Sequence, residues 1–178
     1  MSFSIPDAPA PADVKSSSKI DKTAAAVLTV SDTCARGEKE DLSGPAVAEA
    51  LASRNFQVVL RRLVPDESGL IQEQLIDLCC SARLVVTTGG TGVAPRDVTP
   101  EATMAVSERL VGGIAEQMRL QGTRKTRFAA LSRGVCGIRG TSLILNLPGS
   151  PAGALESLES VMDLLPHALE LIAGRTEH

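Results

Sequence analysis

Apolar residues fall into two kinds of pattern along this chain: short unbroken runs, and longer stretches spaced at helical intervals. Ala24 to Ser31 (AAAVLTVS) reads as a buried first strand. Pro45 to Arg54 reads as a helix with Ser43 or Gly44 at its cap, and Val47, Ala50 and Leu51 on its apolar face. Asn55 is its left-handed stop, and Phe56 to Val64 (FQVVLRRLV) is a second strand. Asp66 is placed to cap a helix whose face is Ile71, Leu75, Leu78 and Cys79, spaced i, i+4, i+7, i+8. Leu84 to Thr88 is a third strand, followed at once by Gly89-Gly90-Thr91-Gly92. Thr99-Pro100 opens another helix, and Gly112 to Gln121 is a further helical stretch. Phe128 to Ser132, Val135 to Ile138 and Ser142 to Leu147 read as strands. Ser150-Pro151 opens a last helical region that Pro166 kinks or splits. The repeated order strand, helix, strand predicts an α/β domain, a parallel sheet with helices on both faces.

The first 22 residues break this pattern. Pro6, Pro9 and Pro11 precede Ser16, Ser17 and Ser18, with scattered charge. Such composition buries little, so residues 1–22 are expected to form a flexible tail and 23–178 a single domain. A length of 178 residues suits one domain with a real core.

Composition narrows the chemistry. The chain has three Phe, no Tyr and no Trp, so the core is aliphatic and no Tyr can act as acid or base. Platforms that stack single-stranded nucleic acid on aromatics are excluded, and Phe56 and Phe128 are expected in the core. Eighteen Lys and Arg against 21 Asp and Glu give a net charge of −3, without the basic footprint of a duplex binder. Cys34, Cys79, Cys80 and Cys136 include no C-x-x-C pair, which fits reduced thiols in a cytoplasmic protein. Only His167 and His178 are available for imidazole chemistry. No apolar run reaches the length of a membrane span, and no signal-peptide segment is visible at the N-terminus.

Ligands of open α/β sheets bind beyond the carboxyl ends of the strands. Four polar or Gly-rich segments fall there: Ser31-Asp32-Thr33, Pro65-Asp66-Glu67, Thr87 through Asp97, and Leu147-Pro148-Gly149-Ser150-Pro151. Thr88, Gly89, Gly90, Thr91 and Gly92 form the richest one. Its glycines let backbone N–H groups approach an anion, and its Thr hydroxyls add donors. The loop is neither a Walker A motif, since no Gly-Lys-Ser/Thr follows, nor a dinucleotide fingerprint, since Pro95 stands where a third Gly belongs. Thr99 is the better helix cap, which leaves Asp97 free, whereas Asp66 reads from spacing alone as an ordinary cap. Carboxylates beside an anion-binding loop suggest a magnesium–phosphate site. Arg96 is the best-placed fixed positive charge, with Arg36 and Arg119 next and Arg119 more safely read as a surface residue.

Taken in order, these segments resemble the molybdopterin adenylyltransferases of molybdenum-cofactor biosynthesis. The matching residues are Thr29-Val30-Ser31-Asp32, Asp41-Leu42-Ser43-Gly44-Pro45, Pro65-Asp66-Glu67, Thr87 to Gly92, Arg96-Asp97-Val98-Thr99-Pro100-Glu101-Ala102-Thr103, Glu116-Gln117-Met118-Arg119 and Leu147-Pro148-Gly149-Ser150-Pro151. The resemblance spans roughly residues 24–174. It implies a three-layer α/β/α sandwich around a mostly parallel sheet, the fold of molybdenum-cofactor-biosynthesis proteins, and a homotrimer. It implies ATP and molybdopterin as substrates with Mg²⁺, and a separate molybdate-insertion protein to take the product.

The same resemblance makes Asp66 and Asp97 the critical carboxylates, as catalytic and metal-holding residues, against the spacing-based reading of Asp66 as a cap. Ser31, Asp32, Thr88, Gly89, Gly90, Thr91, Gly92, Arg96, Pro148, Gly149 and Ser150 are the expected substrate-binding positions. The Arg-Asp-Val-Thr-Pro run favours the active branch over a non-catalytic molybdopterin-binding paralogue. The first loop departs from the common bacterial pattern, with Thr33 where many bacterial members have Arg, and is closer to the plant and animal fused domains. A pterin-independent nucleotide diphosphate hydrolase ranks last, because nothing in the sequence points to an activated water.

Overall fold

A computed structural model describes residues 22–175. The tail expected over residues 1–22 lies outside the described residues, apart from Lys22. Six strands form one sheet, with spatial order β2-β1-β3-β6-β5-β4. They are β1 (Thr23–Val30), β2 (Phe56–Val64), β3 (Leu84–Thr88), β4 (Arg109–Leu110), β5 (Cys136–Arg139) and β6 (Ser142–Leu147). β1 runs parallel to β2 and β3, and β3 runs parallel to β6. β5 and β4 return antiparallel at one edge. The sheet is therefore mostly parallel, as expected.

The helices are α1 (Asp32–Ala35), α2 (Ser43–Ser53), α3 (Ser68–Ser81), α4 (Thr99–Val106), α5 (Gly112–Thr123), α6 (Pro151–Glu159) and α7 (Leu165–Ile172). Strand alternation sorts their cores onto two faces. On one face Ala25, Val27, Leu84, Val86, Leu143, Leu145 and Leu147 meet Val47 and Leu51 of α2, Ile114 and Met118 of α5, Ala154 and Leu158 of α6, and Leu165 and Leu169 of α7. On the other, Ala26, Leu28, Val30, Val85 and Ile144 meet Ile71, Leu75 and Leu78 of α3 and Ala102 and Val106 of α4. Every residue of β3 and β6 is buried, because both faces are covered. This is the three-layer α/β/α sandwich.

Several local expectations change. Phe128 to Ser132 is not a strand: Arg127–Leu131 is a 3₁₀ turn, and Phe128 is 65% exposed rather than core. Thr126 starts that turn by accepting from the Phe128 amide at 3.4 Å, a local bond that no partner strand competes for. α3 begins after Glu67, so Asp66 is not its cap; the carboxylate is engaged elsewhere. Thr99 does not cap α4 either, since it lies inside the helix and its hydroxyl donates to the Gly89 carbonyl at 2.9 Å. α2 starts at Ser43, two residues before Pro45, with Asp41 accepting from the Gly44 amide at 2.9 Å. Asn55 does take the left-handed conformation, at φ 69°. Pro166 does split the last helical region, standing in the first turn of α7 after a 3₁₀ turn at Met162–Leu164. α1 and the two-residue β4 were not expected; both are too short to leave a periodic signal.

Candidate active site

The parallel strands end together, and the chain leaves each end as a functional loop. β1 ends at Val30 before Ser31-Asp32, β2 at Val64 before Pro65-Asp66, β3 at Thr88 before the glycines, and β6 at Leu147 before Pro148-Gly149-Ser150. These loops are stitched to one another. Ser31 N donates to Val64 O at 2.9 Å, and Gly89 N donates to Leu147 O at 3.2 Å. The Thr88 hydroxyl donates to Pro148 O at 2.7 Å.

Two glycines are required by this packing. Gly89 sits at φ +102°, and a Cβ there would lie 2.1 Å from the Val30 carbonyl. Gly90 sits at φ +61°, and its Cβ would lie 2.3 Å from the Thr99 hydroxyl and 2.9 Å from Asp66 Oδ1.

Asp32 and Asp66 bind each other's backbone. Asp32 N donates to Asp66 Oδ2 at 2.8 Å, and Asp66 N donates to Asp32 Oδ1 at 3.0 Å. Arg96 closes on Asp32 in a fork, with Nε 2.9 Å from Oδ2 and Nη2 2.7 Å from Oδ1. The Arg96 hydrogen bonds hold the Asp32 carboxyl below its ordinary value. Asp66 behaves oppositely. Burial raises its carboxyl, and the charges of Asp32 and Asp97 push it the same way. Asp97 Oδ2 accepts from the Ala94 amide at 2.8 Å, which folds the loop before α4 around this side chain.

Two cavities open on this edge. One, of about 450 Å³, is lined by Ser31, Thr88 and Gly89, with Lys39, Asp41 and Asp66 among the charged groups. The other, of about 430 Å³, is lined by Thr91, Gly92, Pro148 and Ser150, with Phe128 and Leu131 on its apolar side. Gly90, Asp97 and Gly149 belong to both. All but two of the site residues expected from sequence thus line one cavity or both. The exceptions are Asp32 and Arg96, whose charged ends are occupied by each other. Arg36 pairs with Glu38 on the surface, and Arg119 donates to the Gly134 carbonyl at 2.9 Å.

Sequence reasoning missed Lys39 and Phe128, which line the first and second cavity respectively. Lys39 carried a weak signal as one of two lysines outside the tail. Phe128 was hidden by its apolar neighbours. The four cysteines are free. Burial pushes the Cys136 thiol up to about 12, which removes it as a nucleophile.

Among the described residues no three His, Cys, Asp or Glu side chains gather into a metal-binding group. A cation here would need substrate oxygens to complete its shell. The first cavity suits that arrangement: Glu40, Asp41, Asp66 and Asp97 outnumber Lys39, so a polyphosphate would need a divalent ion to enter.

Comparison with known proteins agrees with this geometry. Residues 26–167 match the family described as a probable molybdopterin binding domain. The chain is 44% identical over 152 residues to a Helicobacter pylori protein named molybdopterin adenylyltransferase, covering 83% of this chain and 86% of that one. It is 46% identical over 151 residues to the Drosophila melanogaster molybdenum cofactor synthesis protein cinnamon, covering 82% of this chain but 25% of that longer protein. The crystal structure of a molybdopterin biosynthesis enzyme, MoaB of Thermus thermophilus, superposes with a TM-score of 0.80 at 54% identity, over 85% of this chain and 97% of that one. With the Gly-rich loop, the cavity-lining Asp66 and Asp97 and the strand-end loops on one edge, the chain belongs to this molybdopterin-binding family of molybdenum-cofactor biosynthesis.

Proposed function

We infer that the protein is a molybdopterin adenylyltransferase that joins molybdopterin to the AMP portion of ATP and releases pyrophosphate. One observation carries this reading beyond family membership: two separate cavities meet at Gly90, Asp97 and Gly149. A reaction between two bulky substrates needs a pocket for each and a common edge where their phosphates meet. The terminal phosphate oxygen of molybdopterin forms a bond to the α-phosphorus of ATP there, and the bond from that phosphorus to the pyrophosphate oxygen breaks.

No protein group need become covalently attached. The chain positions the phosphates and excludes competing geometries. Backbone N–H groups of Gly90 to Gly92 and of Gly149-Ser150 supply fixed donors to phosphate oxygens, while the Gly89 amide stays bonded to Leu147 O and holds the loop in place. Asp66 and Asp97 would hold Mg²⁺, which supplies charge neutralisation on the phosphates when bound. The Asp66 carboxyl is raised by burial first and by the Asp32 and Asp97 charges after it, and a bound cation would offset both. Arg96 acts on Asp32, fixing the loop that carries the Asp66 backbone contact.

The remaining parts of this reading are a single domain over residues 23–178, a homotrimer, a cytoplasmic setting and transfer of the product to a separate molybdate-insertion protein. Light scattering giving a mass near 18.6 kDa would refute the trimer.

The test of the reaction is pyrophosphate release from purified protein with molybdopterin, ATP and Mg²⁺. Release that depends on molybdopterin is expected. A binding module is the second reading, favoured by the Asp66 oxygen occupied by the Asp32 amide. Pterin binding without release would establish the module and sink the enzyme.

A further inference from the structure

Arg133 lies on the segment that leads into β5, far in sequence from the strand-end motifs. Its guanidinium nevertheless reaches into the loop that carries Asp97. Nε donates to Gly92 O at 2.6 Å, Nη2 donates to Asp97 O, and Nη1 pairs with Glu101 in the first turn of α4. Its backbone N donates to Thr91 O at 2.9 Å. One side chain thus bridges the carbonyls at the two ends of Gly92–Asp97. The loop's own closure is small: Asp97 N to Ala94 O at 2.9 Å and Ala94 N to Asp97 Oδ2 at 2.8 Å.

The segment bearing Arg133 is itself anchored in the core. Asn146, almost fully buried on β6, accepts from Val135 N at 3.3 Å and donates to the hydroxyls of Thr87 and Thr103 at 3.0 and 2.9 Å. Arg119 donates to Gly134 O from the opposite side. The Asp97 loop is therefore tied through Arg133 to a platform joining β3, β6 and α4. Nε, Nη1 and Nη2 of Arg133 each donate within the protein, so the guanidinium is held by the Asp97 loop and Glu101.

We propose that Arg133 is a positioning residue that clamps the Gly92–Asp97 loop and thereby sets Asp97 at the junction of the two cavities. The catalytic half of this proposal rests on the adenylyltransferase reading; the clamp itself does not. Arg133→Gln keeps a polar side chain but loses the fork and the ion pair. Arg133→Lys keeps the charge but lacks the planar fork that reaches Gly92 O, Asp97 O and Glu101 together.

The experiment combines turnover with amide hydrogen exchange on the full chain. In Arg133→Gln, exchange at Ala94 and Asp97 should accelerate while the core strands keep their protection. Molybdopterin-dependent kcat should fall by about 10²-fold with KM for ATP little changed, the effect of a displaced catalytic group. Arg133→Lys should recover part of both and serves if the Gln variant folds poorly. Unchanged exchange at Ala94 and Asp97 overturns the clamp. Faster exchange with wild-type kcat overturns its role in positioning. If the wild-type protein releases no pyrophosphate, the reaction assignment fails, and the clamp stands or falls on exchange alone.

Discussion

Replacing Gly90 by Ala puts one methyl group where the site has no room. Gly90 lies at φ +61°, a region that costs an L-residue about 1–2 kcal/mol. Its new Cβ would lie 2.3 Å from the Thr99 hydroxyl and 2.9 Å from Asp66 Oδ1. The Thr99 hydroxyl must then abandon its buried bond to Gly89 O, a loss worth about 1–3 kcal/mol. The total is roughly 2–5 kcal/mol. At about 2–4 °C per kcal/mol for a chain of this size, Tm should fall by roughly 4–20 °C.

Gly37→Ala separates the two causes. Gly37 has φ +72° but nothing within 4 Å of the added Cβ. It should lose only the backbone part, about 1–2 kcal/mol. Both variants gain similarly from a less flexible unfolded chain, so that contribution cancels in the comparison. Thermal melts of the two proteins give the difference directly. Displacing Asp66 should also lower molybdopterin-dependent turnover by about 10²-fold in Gly90→Ala, and leave Gly37→Ala at wild-type rate. Equal Tm losses with full activity in both would refute the close approach of Gly90, Thr99 and Asp66.

Asp66 should set an acid limb in the pH profile of kcat/KM, above the ordinary carboxylate value of 3.8, because its carboxyl is raised in the folded protein. The stability sign is the reverse of a salt-bridged carboxylate: ionised Asp66 disfavours the folded state, so Asp66→Asn should stabilise at neutral pH and lose that advantage as pH falls through the folded value. Asp32 is depressed by Arg96, so its contribution is present above the unfolded carboxylate value and vanishes as pH falls through the folded one. Arg96→Ala should accordingly move the acid-unfolding midpoint to higher pH, read by circular dichroism. Phe128→Ala should leave unfolding stability within about 0.5 kcal/mol of wild type, as an exposed site does, but weaken binding of the substrate in the Phe128 cavity, read by equilibrium titration. Phe56→Ala, in the buried core, should cost about 3–5 kcal/mol in a urea titration.

Much of the layered sandwich was legible in the chain because its strands are short apolar runs and its helices carry apolar faces. Phe56–Val64, Leu84–Thr88 and Ser142–Leu147 were placed to the residue, since each is a mostly apolar run bounded by turn residues. Phe128 was misplaced by the same logic: an apolar run says nothing of whether a partner strand is within reach. The bond from Asp32 N to the Asp66 carboxylate and the Arg96 fork on Asp32 join residues 34 and 64 apart, and no local spacing encodes them.

The sequence by itself determined the α/β class and the strand-end position of the Gly-rich loop, from periodicity and from backbone geometry that only glycine tolerates. Asp66 stood out as more than a helix cap only through the family resemblance. The tertiary structure decided what each charge does. It turned Asp66 from a helix cap into a contact for the Asp32 amide and coupled Arg96 to Asp32. It put Arg133 in the mouth of the Asp97 loop and opened two cavities that share Asp97. Strand order made those choices, because bringing β2, β1, β3 and β6 side by side joins loops that are distant along the chain.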